Sequence, residues 1–265
     1  MTLEGYSAAT ADKNGNLWVI HRPESKAVDP VVELDRNGKF IRSFGKGMYS
    51  IPHGIRIDPQ GNVWTIDAHT SLIYKFTPEG KKLMEISVGD IPDPNRPFCG
   101  ATDVAFAKDG HVFVSDGYCN GRFIEYTGDG KKLKEWGKRG MGQGEFNNAH
   151  DIAIHPDGRI FVADRENGRL QWFDHEGKYL GEKHFGGQLF SVAISDKGDV
   201  YVGTQPRDVP FGVDGYIVKV DPASGKLLGK APAPTHQLSV GPDGSLYPGI
   251  RVDKTDSVLV YRPGK

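Results

Sequence analysis

The chain contains an internal repeat, and its period limits the possible folds more than any other feature. Two short β-rich runs split by a turn that ends in glycine recur six times, as in Gly100–Phe106 and His111–Ser115 around Gly110. The turn glycines are Gly15, Gly61, Gly110, Gly158, Gly198 and Gly244, at intervals of 46, 49, 48, 40 and 46 residues. Because glycine tolerates the positive φ of a tight turn, each copy predicts a β-hairpin.

Each repeat also contains a second turn glycine, usually followed by lysine. These are Gly38, Gly80, Gly130, Gly177, Gly225 and Gly264. Two hairpins give four antiparallel strands, and repeats of roughly 40 to 50 residues with this content are typical of β-propeller blades. We therefore expect an all-β, six-bladed propeller, formed as a single domain by residues 1–265. The last repeat ends where the others begin a fourth strand, so its blade is expected to be three-stranded or weakly closed.

The charge balance argues against two classes of partner. The formal net charge is -1 and the pI is about 6.8, so nothing attracts the chain to nucleic acid or to an anionic membrane. No apolar run approaches the length of about 20 residues that a membrane-spanning helix needs. Met1–Glu4 lacks the basic and apolar regions of a secretory signal. If the protein is exported, its signal is absent from this sequence.

Repeats share their structural residues, so a position that differs between copies is a candidate for function. At one position near the start of each first strand, the six repeats carry Tyr6, His53, Thr102, His150, Phe190 and His236. First strands are innermost in a propeller, so histidines in alternate blades should meet in the central channel. A lone histidine is usually only a hydrogen-bonded channel residue, but three at one repeat position predict a metal site. Three neutral imidazoles that leave one coordination position open suit catalytic zinc.

A second set of exceptions follows the second strands, four residues beyond an aromatic residue. These positions hold Arg22, Ala68, Gly117, Arg165, Gln205 and Arg251. If the second strands return to the face where the first strands begin, these residues surround the mouth of the same channel, and the arginines could bind a carboxylate. The alternatives are a solvated charge at Arg251 and a local salt bridge at Arg165. Tyr118, which follows Gly117, is a candidate base beside zinc, or else a capping aromatic.

Five runs of sequence resemble the lyase domain of peptidylglycine α-amidating enzymes, peptidyl-α-hydroxyglycine α-amidating lyase. They are IPHGIRID (51–58), FCGATDVAF (98–106), FVSDGYCNGR (113–122), GQGEFNNAHDIAI (142–154) and FVADRENGRLQWF (161–173). The likeness covers the first four repeats closely and the last one weakly. Propellers of the NHL type in general lack the SDGYCN and VADRENGR blocks, so these two blocks make the resemblance specific.

The resemblance implies a zinc lyase that cleaves the C–N bond of an N-acyl- or peptidyl-α-hydroxyglycine, giving a primary amide and glyoxylate. On the matching motifs, the three zinc ligands fall on His53, His150 and His236. The catalytic residues of the family fall on Tyr118, Arg22 and Arg165. These residue types suit the reaction, because zinc can polarise the α-hydroxyl while a tyrosine takes its proton and arginines hold the carboxylate.

The resemblance also implies features on which this chain departs from the family. In the family, an aspartate after the third histidine serves a structural calcium ion, and here Gln237 makes calcium possible but doubtful. The first disulfide of the family is matched by Cys99 and Cys119, whereas the second is absent. A bridge would steady the tyrosine loop and indicates an oxidising compartment, so we expect a secreted or periplasmic protein. Two buried thiols in a cytosolic protein are the alternative.

Two alternatives from other functional classes stay open. A propeller hydrolase of the gluconolactonase kind would also use a channel metal, but would favour carboxylate and asparagine ligands for calcium. A non-catalytic interaction propeller of the NHL type would have no use for three channel histidines. This sequence includes no copper monooxygenase domain, so we expect a separate hydroxylating enzyme to supply the α-hydroxyglycine, unless the substrate is a smaller N-acyl compound.

Overall fold

The computed structural model describes residues 2–209, 214–249, 255 and 257–262, and within them it contains β-strands and no helix. The strands of the first three repeats are β1 (Ala8–Ala11), β2 (Leu17–Ile20), β3 (Val31–Leu34), β4 (Phe40–Phe44), β5 (Pro52–Ile57), β6 (Val63–Asp67), β7 (Leu72–Phe76), β8 (Lys82–Ser87), β9 (Asp103–Phe106), β10 (Val112–Asp116), β11 (Arg122–Tyr126) and β12 (Lys132–Trp136). The strands of the last three are β13 (Ala149–Ile154), β14 (Ile160–Asp164), β15 (Arg169–Phe173), β16 (Tyr179–His184), β17 (Gln188–Ile194), β18 (Val200–Gln205), β19 (Tyr216–Val220), β20 (Leu227–Pro232), β21 (Leu238–Val240) and β22 (Leu246–Pro248).

Five repeats fold into four-stranded antiparallel sheets in which the strands are adjacent in chain order. These sheets are β1–β4, β5–β8, β9–β12, β13–β16 and β17–β20. In the described part of the last repeat, β21 and β22 form a two-stranded sheet. The prediction of an all-β propeller with four-stranded antiparallel blades is confirmed. The predicted count of six blades is not, because the described residues form five complete blades.

The turn between β5 and β6 shows how the repeat signature forms a hairpin. Gly61 has a φ of 88°, a conformation that glycine adopts without steric cost. One carboxylate oxygen of Asp58 accepts hydrogen bonds from the main-chain N–H groups of Gln60 and Asn62, at 3.0 and 2.8 Å. The other oxygen accepts the indole N–H of Trp64 at 3.0 Å. The aspartate, the glycine and the aromatic residue therefore act together to fix the turn.

Neighbouring blades are held together by apolar side chains packed between their sheets. Between the second and third sheets, Trp64 and Ile66 of β6 pack with Val104 of β9 and Val114 of β10. Each of these side chains is at most 1% exposed. Burying one side chain of this size contributes about 1.5–3 kcal/mol, so the contacts between blades are a main source of stability.

The first strand of each sheet lies innermost. β5 contacts β1 and β9, β13 contacts β9 and β17, and β21 contacts β17 and β1, so the inner strands form a closed ring. The pairing of β5 with β6 is antiparallel and joins Pro52 to Asp67. The second strands therefore end at the face where the first strands begin, as the sequence predicted.

The two ends of the chain meet beside the last sheet. Leu246 forms an antiparallel bridge with Tyr261, and Leu3 exchanges main-chain hydrogen bonds of 2.6 and 2.8 Å with Thr255. The N-terminal segment thus pairs with the last repeat, whose blade was expected from the sequence to be three-stranded or weakly closed. Gly264 and Lys265, where we expected the last repeat to stop, lie outside the described residues.

Candidate active site

Two of the three predicted ligands are placed by β-bulges. On β5, Pro52 pairs with Asp67 and Gly54 pairs with Ile66, so His53 is an extra residue without a partner of its own in the ladder. On β13 the register shifts in the same way around His150. A bulge redirects a side chain that would otherwise face the neighbouring blade. The two imidazoles enter the channel for this reason.

One position of the predicted set is wrong. Thr10 pairs with Trp18 as Arg56 pairs with Trp64, and this register aligns Ser7, not Tyr6, with His53. The spacing agrees, because Ser7 lies as far before its turn glycine as His53 does. Tyr6 instead packs in the apolar cluster between the last and first sheets. The six channel positions are Ser7, His53, Thr102, His150, Phe190 and His236.

The three histidines converge. Their ring centroids are 5.0 to 5.2 Å apart in all three pairs, and one ring nitrogen from each lies within 4.8 Å of the others. His53 and His150 are fully buried, and His236 is 3% exposed. The structure therefore brings together the three residues that the sequence selected as metal ligands.

The Nδ1 atom of each histidine faces a main-chain carbonyl of the next blade. The acceptors are the oxygens of Thr102 for His53 at 2.8 Å, of Phe190 for His150 at 2.7 Å, and of Ser7 for His236 at 2.9 Å. A carbonyl can only accept, so each Nδ1 carries the proton and each Nε2 keeps its lone pair. Each carbonyl comes from the residue at the equivalent channel position, so the repeat itself fixes the three tautomers.

The electrostatic surroundings keep the rings of His53 and His150 neutral. Burial lowers the pKa of His53 well below its usual range, and repulsion from His236, when that ring is protonated, and from Arg22 and Arg165 lowers it further. Burial also lowers the pKa of His150, with Arg165 as the next largest cause. Neutral imidazole is the form that binds a metal ion.

Tyr118 lies directly at this cluster. Its hydroxyl oxygen is 2.8 Å from Nε2 of His53 and 3.2 Å from Nε2 of His150. Gly117 makes this approach possible, because a Cβ atom there would lie 2.1 Å from the main-chain oxygen of Ala149. The absence of a side chain at Gly117 thus lets the backbone that carries Tyr118 lie close to β13.

A disulfide bond holds the tyrosine loop. Cys99 and Cys119 are bridged, with Cα atoms 4.8 Å apart, so the pairing that the resemblance implied is present. Cys119 follows Tyr118, and the ring of Phe98, which precedes Cys99, lies 5.1 Å from the tyrosine ring. The bridge therefore fixes both the tyrosine and the aromatic side chain beside it.

Both predicted arginines lie beside the site, and Arg165 contacts the tyrosine itself. The guanidinium of Arg165 is 5.6 Å from the ring centroid of Tyr118 and 5.4 Å from that of Phe190. It also forms an ion pair with Glu166 at 2.8 Å, so the local salt bridge considered from the sequence does form. The ion pair does not draw the guanidinium away from the rings of Tyr118 and Phe190.

Arg22 approaches the site from the first repeat. Its guanidinium lies 5.4 Å from the ring of Phe98, and its Nε donates to the main-chain oxygen of Pro52 at 2.9 Å. Pro52 immediately precedes His53, so this bond fixes the guanidinium next to the first histidine. Arg251, the third arginine of the predicted set, lies outside the described residues.

Two further histidines follow the second strands β2 and β6. His21 is buried, where its ring nitrogens contact the main-chain N–H of Glu4 and the main-chain oxygen of Asp29. His69 contacts the hydroxyl of Ser50 and the main-chain oxygen of Pro94. These contacts anchor the loops that follow β2 and β6, so the structure gives both residues a local role.

Sequence reasoning missed a second polar layer directly beneath the histidines. Arg56 of β5 contacts Asp103 of β9 at 2.6 Å and Asp151 of β13 at 3.1 Å. Both aspartates are fully buried, and burial together with Asp103 raises the pKa of Asp151 well above its usual range. The available signal was the residue after the channel position, which is aspartate in TDVAF and in HDIAI.

The residues present fit a zinc ion and do not fit the calcium site that the resemblance implies. Three convergent, neutral Nε2 donors match the ligand set of catalytic zinc. At the expected calcium position, the carboxamide N–H of Gln237 donates to the main-chain oxygen of Thr102 at 3.0 Å. A neutral carboxamide, already engaged as a hydrogen-bond donor, therefore stands in place of the carboxylate that a hard cation prefers.

Comparison with known proteins identifies the relatives of this chain. The NHL repeat family model matches residues 146–173. Peptidylglycine alpha-amidating monooxygenase of Rattus norvegicus is 30% identical over 289 residues, covering 92% of this chain and 29% of that protein. Peptidyl-alpha-hydroxyglycine alpha-amidating lyase 1 of Drosophila melanogaster is 30% identical over 230 residues, covering 73% and 42%. A probable lyase of the same name from Caenorhabditis elegans is 30% identical over 229 residues, covering 81% and 65%.

The chain is a homologue of the α-amidating lyases. It spans less than two thirds of the length of each of these three relatives, and less than one third of the monooxygenase from rat. The resemblance stated from the sequence motifs is confirmed, and it extends over most of the chain.

Solved structures support the fold of this lyase homologue. A streptogramin B lyase structure superposes with a TM-score of 0.64 at 15% identity, covering 95% of this chain and 92% of that one. A catalytically inactive virginiamycin B lyase from Staphylococcus aureus, in complex with quinupristin, gives 0.64 at 14% identity, covering 99% and 87%. At these identities the likeness concerns the propeller fold alone.

Proposed function

We propose that this protein is a zinc-dependent carbon–nitrogen lyase that cleaves N-acyl- or peptidyl-α-hydroxyglycine into a primary amide and glyoxylate. The observation that carries the proposal is the position of the Tyr118 hydroxyl, within 3.2 Å of the Nε2 atoms of two buried histidines. The homologues named as lyases support the same chemistry. The ligand cluster consists of histidines, which disfavours a calcium hydrolase of the gluconolactonase kind.

His53, His150 and His236 would hold the zinc ion through their Nε2 atoms. When bound, zinc would act as a Lewis acid that polarises the α-hydroxyl oxygen of the substrate. The carbonyls of Thr102, Phe190 and Ser7 hold the rings in place, so the site requires little reorganisation to bind the metal.

Tyr118, as the phenolate, would accept the α-hydroxyl proton. The O–H electron pair would form the C=O bond of glyoxylate as the C–N bond breaks. The electron pair of the C–N bond would pass to the amide nitrogen, which would take the proton back from Tyr118. Atoms and electrons balance without any oxidant or reductant.

Arg22 and Arg165 would bind the substrate carboxylate. Both guanidinium groups lie against aromatic rings at the edge of the histidine cluster, where an α-hydroxyglycine carboxylate would be held next to its own hydroxyl. Their positive charge would also stabilise the negative charge that develops as the hydroxyl proton is removed.

A glyoxylate-release assay tests the proposal. The substrates are α-hydroxyhippurate and short peptides that end in α-hydroxyglycine, assayed with and without a chelator. We expect release from at least one of them, loss of release with the chelator, and recovery on adding zinc. A protein that binds stoichiometric zinc but releases no glyoxylate from either class would contradict the lyase activity. Preference for α-hydroxyhippurate would identify a small N-acyl compound as the substrate.

Three wider proposals accompany the reaction. We propose that the last repeat completes a six-bladed, single-domain propeller, since β21 lies between β17 and β1. A secreted or periplasmic location is supported by the disulfide bond. A separate hydroxylating enzyme would supply the substrate. No helix of the described chain is long and apolar enough to cross a membrane.

A further inference from the structure

The layer beneath the histidines contains a guanidinium group enclosed by protein. Arg56 leaves β5 three residues after His53 and reaches the first strands of the next two blades. Its Nε and one of its terminal nitrogens lie 3.1 and 2.6 Å from Asp103 Oδ2, and the same terminal nitrogen is 3.1 Å from Asp151 Oδ1. The arginine side chain is 12% exposed and both carboxylates are fully buried. These ion pairs link three neighbouring inner strands, two of which carry the ligands His53 and His150.

Gln237 makes the matching connection from the opposite side of the channel. It follows His236, and its carboxamide donates to the main-chain oxygen of Thr102. The same oxygen accepts the Nδ1–H of His53. Gln237 therefore connects the strand of the third ligand to the carbonyl that orients the first ligand.

We propose that Arg56 is the resident cation of the channel, and that Arg56 and Gln237 together replace a structural calcium ion in this protein. The guanidinium supplies a fixed positive charge between buried carboxylates of different blades. The carboxamide supplies the cross-channel link at the position where the family has an aspartate. Arg56 is thus a positioning residue for the histidine cluster, and folding of the protein requires no calcium.

The oxygen atoms of Asp103, Asp151 and Gln237 provide a way to test this substitution. Asp103 Oδ1, Asp151 Oδ2 and Gln237 Oε1 are buried and have no hydrogen-bond donor among the described residues. Carboxylate and amide oxygens are the ligands that calcium prefers. Removing the guanidinium should therefore leave a cavity beside two buried carboxyl groups, whose oxygen atoms a calcium ion can bind.

The first experiment compares the thermal midpoint of the unmodified protein in excess EGTA and in millimolar calcium. We expect the same midpoint in both, because the cation site is already occupied by Arg56. A midpoint that rises with calcium, or calcium that stays bound in stoichiometric amount after dialysis, would overturn the proposal. This measurement does not depend on whether any variant folds, or on the proposed lyase reaction.

The second experiment uses Arg56→Ala. We expect the midpoint to fall by roughly 10 °C, because Asp103 and Asp151 are buried and both lose their contact with the guanidinium. Millimolar calcium should restore a large part of the loss, and magnesium should restore less because it gives up its water ligands reluctantly. Co²⁺ serves as a spectroscopic probe of the histidine site. Its apparent affinity should fall in Arg56→Ala and recover when calcium is added, in parallel with the midpoint.

Two control variants separate a replaced cation from a simple packing effect. Arg42→Ala removes the 2.8 Å ion pair with Glu33 on a half-exposed side chain, and calcium should not change its midpoint. Arg56→Ala combined with Asp103→Asn and Asp151→Asn removes the carboxylates as well, so the response to calcium should disappear. If calcium fails to raise the midpoint of Arg56→Ala, or raises that of Arg42→Ala as much, the assignment of Arg56 as a resident cation is wrong.

Discussion

The Nδ1 atom of His236 lies 2.9 Å from the main-chain oxygen of Ser7, although the two residues are 229 positions apart in the chain. The last histidine is therefore oriented by the first repeat. Leu3 and Thr255 pair near the same junction, so the closure of the ring and the third metal ligand depend on each other. A channel site of this kind should assemble only when the propeller is closed.

Removing one ligand should remove the metal. His150→Ala deletes one of three convergent nitrogen donors, and we expect the affinity for zinc to fall by more than the roughly 10- to 100-fold that loss of a supporting residue costs. Glyoxylate release should be lost with it. Metal content after dialysis and chelator competition measure the effect.

The matched control for this variant is His184→Ala, at the end of the outer strand β16. The His184 side chain is 60% exposed and contacts Glu182. The His184→Ala variant should retain the zinc content of the unmodified protein. Equal zinc content in His150→Ala and the unmodified protein would contradict a three-histidine site.

Tyr118→Phe should separate metal binding from turnover. The variant removes only the hydroxyl group that lies beside His53 and His150, so the three Nε2 donors remain. Loss of a general base lowers kcat by about 10²- to 10⁴-fold, and we expect a loss in this range with zinc content unchanged. Tyr179→Phe, on the outer strand β16, should keep full activity. Full activity in Tyr118→Phe would exclude the tyrosine from the mechanism.

The repeat made most of the fold and the ligand set predictable. Turn glycines such as Gly61 mark the hairpins because their backbone conformation is nearly specific to glycine. Histidines at one repeat position had to converge once the first strands were innermost. The assignment of Tyr6 was wrong although the spacing to the turn glycine already identifies Ser7, and strand pairing places Ser7 there as well.

Side-chain contacts between different blades could not be predicted from the repeat. Arg56 contacts Asp103 and Asp151 because β5, β9 and β13 follow one another in the inner ring. No local pattern relates residues that are 47 and 95 positions apart. The link from Gln237 to the carbonyl of Thr102 crosses the channel in the same manner. A repeat specifies equivalent positions, but the side chains that differ between the repeats decide which of them touch.

The metal-free protein should lose stability as the pH falls. The pKa values of His53 and His150 are lowered well below their usual range, chiefly by burial, so the folded rings stay neutral where the unfolded rings are protonated. Below about pH 6.5 the unfolded chain binds more protons, and the free energy of unfolding should fall by about 1.4 kcal/mol per pH unit for each histidine. This stability is fully present above that pH.

Denaturant titrations of the metal-free protein at several pH values between about 7 and 5 measure this slope. His150→Gln removes one of the titrating histidines and should reduce the slope by about 1.4 kcal/mol per pH unit. His184→Ala should leave it unchanged. A free energy of unfolding that does not vary over this range would show that the two rings are not buried in their neutral form.

Gly117→Ala should damage the site without touching any proposed catalytic or ligand residue. A Cβ atom at Gly117 would lie 2.1 Å from the main-chain oxygen of Ala149, so the tyrosine loop or the strand that carries His150 must move by about 1 Å. A displacement of this size can cost about 100-fold in rate, and we expect such a loss in glyoxylate release together with a lower thermal midpoint. Gly229→Ala is the matched control, because no atom lies within 4 Å of its added Cβ. If Gly117→Ala retains the activity and midpoint of Gly229→Ala, the close contact between this loop and β13 does not position Tyr118.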